Sequence, residues 1–217
     1  MSESGPQRRT QAERSEQTRA QILDAAITAL TEHGYAGATT LRIQQLAGVS
    51  RGRLLYHFPS RDDLLVAAVQ HLAREQMDSA IAEREWPDTT AERIDAAVET
   101  MWLAYRQPFF WAATELWLAA RAHPPLREAL LPAERDLGAF VRDVTDRFFG
   151  AKLVDKPGFA ELREVLNTSM RGVALTYAFQ PRDADTDPHL ATWKELARAR
   201  LAPRARVRPG GTSNGQR

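Results

Sequence analysis

The chain of 217 residues contains no cysteine. That absence excludes disulfides, thiolate metal sites and thiol nucleophiles together, and it suits a cytoplasmic location. No apolar run approaches the ~20 residues of a membrane-spanning helix, so no membrane partner is expected. The opening MSESGPQRRTQAERSEQTR is charged and lacks the apolar stretch of a signal peptide, so none is expected there. Lysine is nearly missing, with only Lys152, Lys156 and Lys194. Alternating β-branched runs bounded by hairpin turns are missing too, which argues against a sheet. The formal net charge is only +1, so the chain as a whole does not demand a polyanionic partner.

What is present is helical spacing. Ile22, Leu23, Ala26, Ile27 and Leu30 recur at three- and four-residue steps, and Gly34 follows as a stop. Leu41, Ile43, Leu46 and Ala47 form a shorter helix with Thr39 or Thr40 as its cap. Ser60, Arg61, Asp62 and Asp63 supply a cap and first-turn acids for a long helix to about Ile81. Beyond a break at Trp86-Pro87-Asp88, helices are expected over 91–106, 109–121, 125–131, 132–149, 158–179 and 188–201. Residues 1–15 and 204–217 are polar or Pro/Gly-rich and are expected as a flexible arm and a disordered tail.

Residues 48–52 read GVSRG, which fits two quite different structures. As G-x-S-x-G it would hold Ser50 as a hydrolase nucleophile between a buried strand and a helix. The preceding LRIQQLA is helical in pattern and too polar for a central strand. The alternative is the tight turn of a helix-turn-helix. Gly48 then adopts the left-handed conformation, Val49 plugs between two helices, and Ser50 caps a helix over Arg51 to His57. The first turn of such a helix reaches base edges in a DNA groove.

Charge placement favours the second structure. Between His33 and Arg61 there is no Asp or Glu, while Arg42, Arg51, Arg53 and Arg61 are present. From Asp62 to Glu99 ten acids face only Arg74, Arg84 and Arg93. A cationic surface confined to one small unit suits phosphate binding. A non-specific DNA-binding helical scaffold would share that feature.

The stretch Gln17 to Leu65 resembles the TetR family of bacterial transcriptional regulators. A helix ending in H-G-Y, a T-T cap, A-G-V-S-x-G, L-x-x-H-F and a basic residue before D-x-L occur there at fixed spacing. The resemblance implies an all-α fold. A three-helix helix-turn-helix DNA-binding domain (16–76, motif about 39–58) is joined by a long helix to a helical ligand-binding and dimerisation domain (77–203). It also implies a non-enzymatic regulator: a homodimeric repressor on an inverted-repeat operator in double-stranded DNA, released by a small apolar or aromatic inducer, with no cofactor. Thr40, Ser50, Tyr56, His57 and Arg61 fall where the family touches phosphates. Arg51 and Arg53 open the recognition helix, where arginine can pair with guanine O6 and N7. Arg42 and Gly52 complete the expected DNA-contacting set. Two residues depart from the family's pattern: Leu55 stands at a common tyrosine, and Gln44 at a small alanine between helices.

The later region is rich in aromatics at helical spacing, which serve a core or line a cavity equally well. Trp102, Tyr105, Phe109, Phe110, Trp111 and Trp117 are the candidates, with Thr114, Glu115, Arg121, Asn167 and Arg171 as polar fixtures. Leu162, Leu166, Met170, Val173 and Tyr177 form one apolar stripe, and Trp193 and Leu196 belong to another. A single-subunit core could use both; the resemblance implies a four-helix interface between two subunits. His33, His71, His123 and His189 show no ligand spacing, and no metal is expected.

Overall fold

The computed structural model describes residues 10–82 and 84–201. The expected tail 204–217, and residues 1–9 of the expected arm, lie outside the described residues. Every regular element among the described residues is a helix: α1 Gln11–Gly37, α2 Thr40–Ala47, α3 Arg51–His57, α4 Arg61–Ala82 and α5 Thr90–Ala104. These are followed by α6 Pro108–Ala120, α7 Pro124–Phe149, α8 Ala151–Val154, α9 Phe159–Thr176 and α10 Pro188–Leu201.

Helix ends follow from local chemistry. The Thr10 hydroxyl accepts from the Glu13 amide at 3.2 Å, and the Glu13 carboxylate accepts from the Thr10 amide at 2.7 Å. This reciprocal cap starts α1 at Gln11, so residues 11–15 of the expected arm are helical. Gly34, at φ 63°, kinks α1 one turn before its end. Pro108, Pro124 and Pro188 open α6, α7 and α10, where a missing N–H costs nothing.

One expected boundary is absent. The helices expected over 125–131 and 132–149 are a single helix, with Pro132 inside α7. An internal proline costs about 3 kcal/mol. Burial of Leu126 and Leu130 before it and of Leu137 and Val144 after it offsets that cost, each leucine contributing about 1.5–3 kcal/mol. The Gln70 amide of α4 also donates to the Ala133 carbonyl at 2.8 Å, tying α7 to α4 just past the proline.

The apolar side chains form two clusters. One joins α1–α4 to Ala112, Ala113, Leu116 and Ala120 of α6 and to Leu126 and Leu130 of α7. The other joins the end of α4, α5, Phe109 and Phe110 of α6, the rest of α7, and α9 and α10. Helices α4, α6 and α7 therefore contribute to both. The unit expected to end at residue 76 draws part of its core from helices much later in the chain.

Arg93 of α5 closes the α7 end, where carbonyls lack intrahelical partners. It donates to the Phe148 and Arg147 carbonyls at 2.5 and 2.8 Å. The same guanidinium lies over the Trp86 ring, which stacks on Phe148. Glu99 of α5 accepts from Lys194 of α10 at 2.6 Å and from Arg84 at 2.9 Å.

Burial alone would raise the Glu99 carboxyl, but its hydrogen bonds to Lys194 and Arg84, with their charges, hold it below the ordinary 4.5. A depressed carboxylate stabilises the fold above its unfolded value and loses that contribution as pH falls through the folded value. Glu99→Gln is expected to cost no more than about 1 kcal/mol at pH 7, since the pair is partly exposed. Denaturation at neutral and acid pH checks this: the gap between the two chains should close below 4.5.

Candidate nucleic-acid interface and apolar cavity

The turn between α2 and α3 is built as its residue types dictate. Thr39, not Thr40, caps α2: its hydroxyl accepts from the Arg42 amide at 3.2 Å. Gly48 ends α2 at φ 64°, and the Val49 amide donates back to the Gln44 carbonyl at 3.2 Å. Ser50 caps α3, its hydroxyl accepting from the Arg53 amide at 3.3 Å. Helices flank Ser50 on both sides, so the strand required by a nucleophile elbow is not there. Buried Ile43, Leu54 and Phe58 fix both helices to the core, and Val49 packs against it.

Anchored in this way, α3 leaves Arg51, Gly52, Arg53, Leu55 and Tyr56 exposed on one surface, with Tyr56 at 81 %. A Cβ built on Gly52 meets nothing within 4 Å. Thr40 and His57 are half-buried beside this surface, and the His57 ring meets Tyr56 edge-on. Two arginines of the expected DNA-contacting set also make contacts inside the chain. Arg42 donates to the Gly37 carbonyl at 2.6 Å. Arg61 lies over the Tyr35 ring at 4.2 Å and donates to Asp62 at 3.2 and 3.3 Å. Asp62 in turn accepts from the Tyr35 hydroxyl at 3.0 Å, while the Tyr35 ring meets His123 edge-on. This cluster joins the ends of α1 and α4 to the α6–α7 turn. The Gln44 departure has a visible result: its amide nitrogen is buried and finds no partner among the described residues.

In the second cluster a cavity of about 230 Å³ lies between α4, α5, α6, α7 and α9. Six of the sequence candidates line it: Tyr105, Phe109, Phe110, Trp117, Asn167 and Arg171. Five do not. Trp102 is buried, with its indole N–H donating to the Ala184 carbonyl at 2.9 Å. Trp111 faces a separate groove beside Trp102 and Tyr177. Thr114 is buried and donates to the Phe110 carbonyl within its own helix, whereas Glu115 and Arg121 are exposed.

Walls that the sequence did not reveal come from α4 (Met77), α5 (Met101) and above all α7 (Leu137, Val141, Phe148). Glu134, Arg142 and Glu164 add charges of both signs. No local pattern marks them, because their common feature is facing a space between helices. Burial pushes the Tyr105 phenol up to about 12, so it stays a neutral donor. Its hydroxyl donates to Asn167, with the backbone carbonyl at 2.9 Å and Oδ1 at 3.0 Å. Arg171 lies over the Trp117 ring at 5.1 Å.

The stripe expected at a dimer interface is largely internal. Leu162, Leu166, Met170 and Trp193 are buried in the chain's own core and have no surface to give a partner. Val173 and Tyr177 are half-buried, the Tyr177 hydroxyl donating to buried Asp187 at 2.6 Å. Leu196 alone of that set is exposed. The opposite face of α9 exposes Val165 and Leu175, with open space beside Gly172 between them.

Among the described residues no group of three or more His, Cys, Asp or Glu is placed to hold a metal ion. None of their helices is long and apolar enough to cross a membrane.

Comparison with known proteins adds four findings. A family model described as bacterial regulatory proteins, tetR family, matches residues 22–68. The HTH-type transcriptional regulator CymR of Pseudomonas putida is 27% identical over 201 residues, which is 91% of this chain and 97% of that relative. The HTH-type transcriptional repressor Rv1474c of Mycobacterium tuberculosis is 37% identical over 105 residues, covering 48% and 50%. Among solved structures, a TetR transcription regulator from Haloarcula marismortui superposes with a TM-score of 0.63 at 23% identity, covering 86% of this chain and 97% of that one.

Gly52 gives the exposed face of α3 a sharp test. In a helix with nothing nearby, Gly52→Ala should stabilise the free chain by about 0.5–1 kcal/mol. If the face meets DNA, the added methyl should nevertheless weaken binding. Arg53→Ala should relax the base preference at one position, by about 1–3 kcal/mol. Thermal melts and DNA titrations at fixed salt check both; a more stable Gly52→Ala chain that binds DNA as before would remove Gly52 from the contact.

Proposed function

The chain belongs to the tetR family of bacterial regulatory proteins and is a DNA-binding transcriptional regulator; from that premise we propose a repressor that leaves its operator when a small apolar or aromatic molecule fills the cavity. The DNA-facing set we assign is Thr40, Ser50, Arg51, Gly52, Arg53, Tyr56 and His57. Arg42 and Arg61 act from behind, holding α1 and α4 in place. In a symmetric dimer the two α3 helices would enter major grooves about 34–36 Å apart or slightly more, which calls for an inverted repeat. Nothing in this mechanism uses catalysis, and the cytoplasm is where such a regulator works.

The observation that carries the ligand half of this reading is the double role of α6. Phe109, Phe110, Ala113 and Trp117 face the cavity, while Ala112, Leu116 and Ala120 pack in the core that also holds α3. Close-packed interiors transmit displacement instead of absorbing it. A ligand that fits the cavity better when α6 has shifted therefore favours a spacing of the α3 helices that no longer fits the operator. It does so only by its difference in affinity for the two states. The same ligand must then bind less tightly in the presence of operator, by the same factor.

Trp117 is the reporter for this proposal, and Trp102, sealed in the core, is not. A ligand in the cavity should change Trp117 emission, the change should be lost in Trp117→Phe, and operator should weaken the titration. Hydrophobic and aromatic compounds that leave emission, melting temperature and operator affinity untouched would overturn the ligand-release reading and leave DNA binding standing.

For the dimer we assign the outward faces of α9 and α10, with Val165, Gly172, Leu175 and Leu196. Leu175→Asp should give a folded monomer that has lost tight operator binding. Met170→Asp should unfold the chain, because it places an unpaired charge in the core at a cost of several kcal/mol. Light scattering with circular dichroism separates the two outcomes; a dimeric Leu175→Asp chain would place the interface elsewhere.

A further inference from the structure

The exposed face of α3 carries Arg51 and Arg53 beside two large side chains with apolar surface, Leu55 and Tyr56, and only Leu55 has no polar atom to offer a base. Leu55 is 42 % exposed between Arg51, one turn before it, and Tyr56, while its neighbour Leu54 is fully buried. The burial of Leu54 and Phe58 leaves α3 no freedom to rotate Leu55 inward. Gly52, three residues earlier on the same side, places no side chain beside it. Leu55 is therefore held outward, next to open space, on the surface assigned to the major groove.

In that groove the bases offer hydrogen-bond donors and acceptors and a single apolar group, the C5-methyl of thymine. A leucine has nothing to give the donors and acceptors. Against a thymine methyl it removes two apolar surfaces from water at once. We infer that Leu55 is a specificity-determining residue that reads a thymine methyl in each operator half-site. Side chains one helical turn apart have Cβ atoms about 5–6 Å apart. With base pairs spaced about 3.4 Å along the axis, that thymine lies within about two base pairs of the base that Arg51 reads. This rests on the placement of α3 in the major groove proposed above.

The test removes one methyl and nothing else. An operator is first selected from random-sequence duplex DNA with the full-length chain. Each thymine of the half-site is then replaced, one at a time, by deoxyuridine, which keeps its pairing and its O4 acceptor. At one thymine per half-site the substitution should weaken wild-type binding about fourfold, the equivalent of one buried carbon. The same substitution should leave Leu55→Ala indifferent, and Arg51→Ala should lose its base preference within two base pairs of that site. Leu55 is partly exposed and alanine favours helix, so the variant should fold; its melting curve confirms this.

The outcomes separate cleanly. If Leu55→Ala weakens all sequences alike and uracil makes no difference, Leu55 packs on sugar and phosphate, and the inference fails while α3 stays in the groove. If every uracil affects wild type and Leu55→Ala equally, another side chain reads the methyl, and the inference fails. If no sequence is enriched, sequence-specific recognition by α3 fails and takes this inference with it.

Discussion

Three helices, α4, α6 and α7, pack in both cores, and the arrangement turns on the shortest of them. Helix α6, PFFWAATELWLAA, is short, nearly free of charge and walled by alanines on the face that meets α1 and α4. Small side chains let helices approach closely, so α6 sits against the DNA-side core as a rigid part of it. Phe109 and Phe110 project the other way, into the second core and its cavity, while Trp117 lines the cavity and packs against the DNA-side core. Neither core is complete without this helix. A two-layer protein whose halves shared only a linker could fill one half without the other responding. Here the same backbone forms a wall of both.

The electrostatics are divided in a related manner. The net charge is close to zero, yet α2 and α3 carry no acid, so the cationic field is confined to one face. Two arginines of that stretch also make contacts inside the chain, and only Arg61 meets a carboxylate there. Arg61 is held by Tyr35 and Asp62, and Arg42 by the Gly37 carbonyl. Both spend their donors on the junction that orients the motif. Arg51 and Arg53 stand exposed at the first turn of α3, where the positive end of the helix dipole adds to their charge.

The parts of the structure legible in the sequence are those decided within a few residues. The left-handed Gly48, Val49 between the two helices and the Ser50 cap all follow from local chemistry. The family resemblance then supplied the order of the helices around them. What the sequence hid depends on distant partners. Arg61 finds a carbonyl acceptor and a ring on Tyr35, 26 residues away in α1, so its local sequence suggested a free cation. Periodicity showed an apolar stripe on α9 without showing that the stripe meets the chain's own core, leaving the weaker opposite face outward. Five aromatics and polar fixtures pointed away from the cavity because their phase around α5 and α6 is set by those two cores. The boundary expected between residues 131 and 132 is missing because α7 is held past Pro132 by contacts with distant elements, among them Gln70 of α4.

The placement of α6 also bears on how such a chain can diverge. A residue of α6 that faces the cavity sits on a helix whose other side supports the DNA-side core, so altering it disturbs folding along with ligand shape. The cavity walls on α9 and on the later turns of α7 have no such second duty, since Leu126 and Leu130 make their DNA-side contacts well before Leu137. Descendants that reshape the cavity should therefore vary at α7 and α9 first, with α6 as the slowly changing spine shared by both cores.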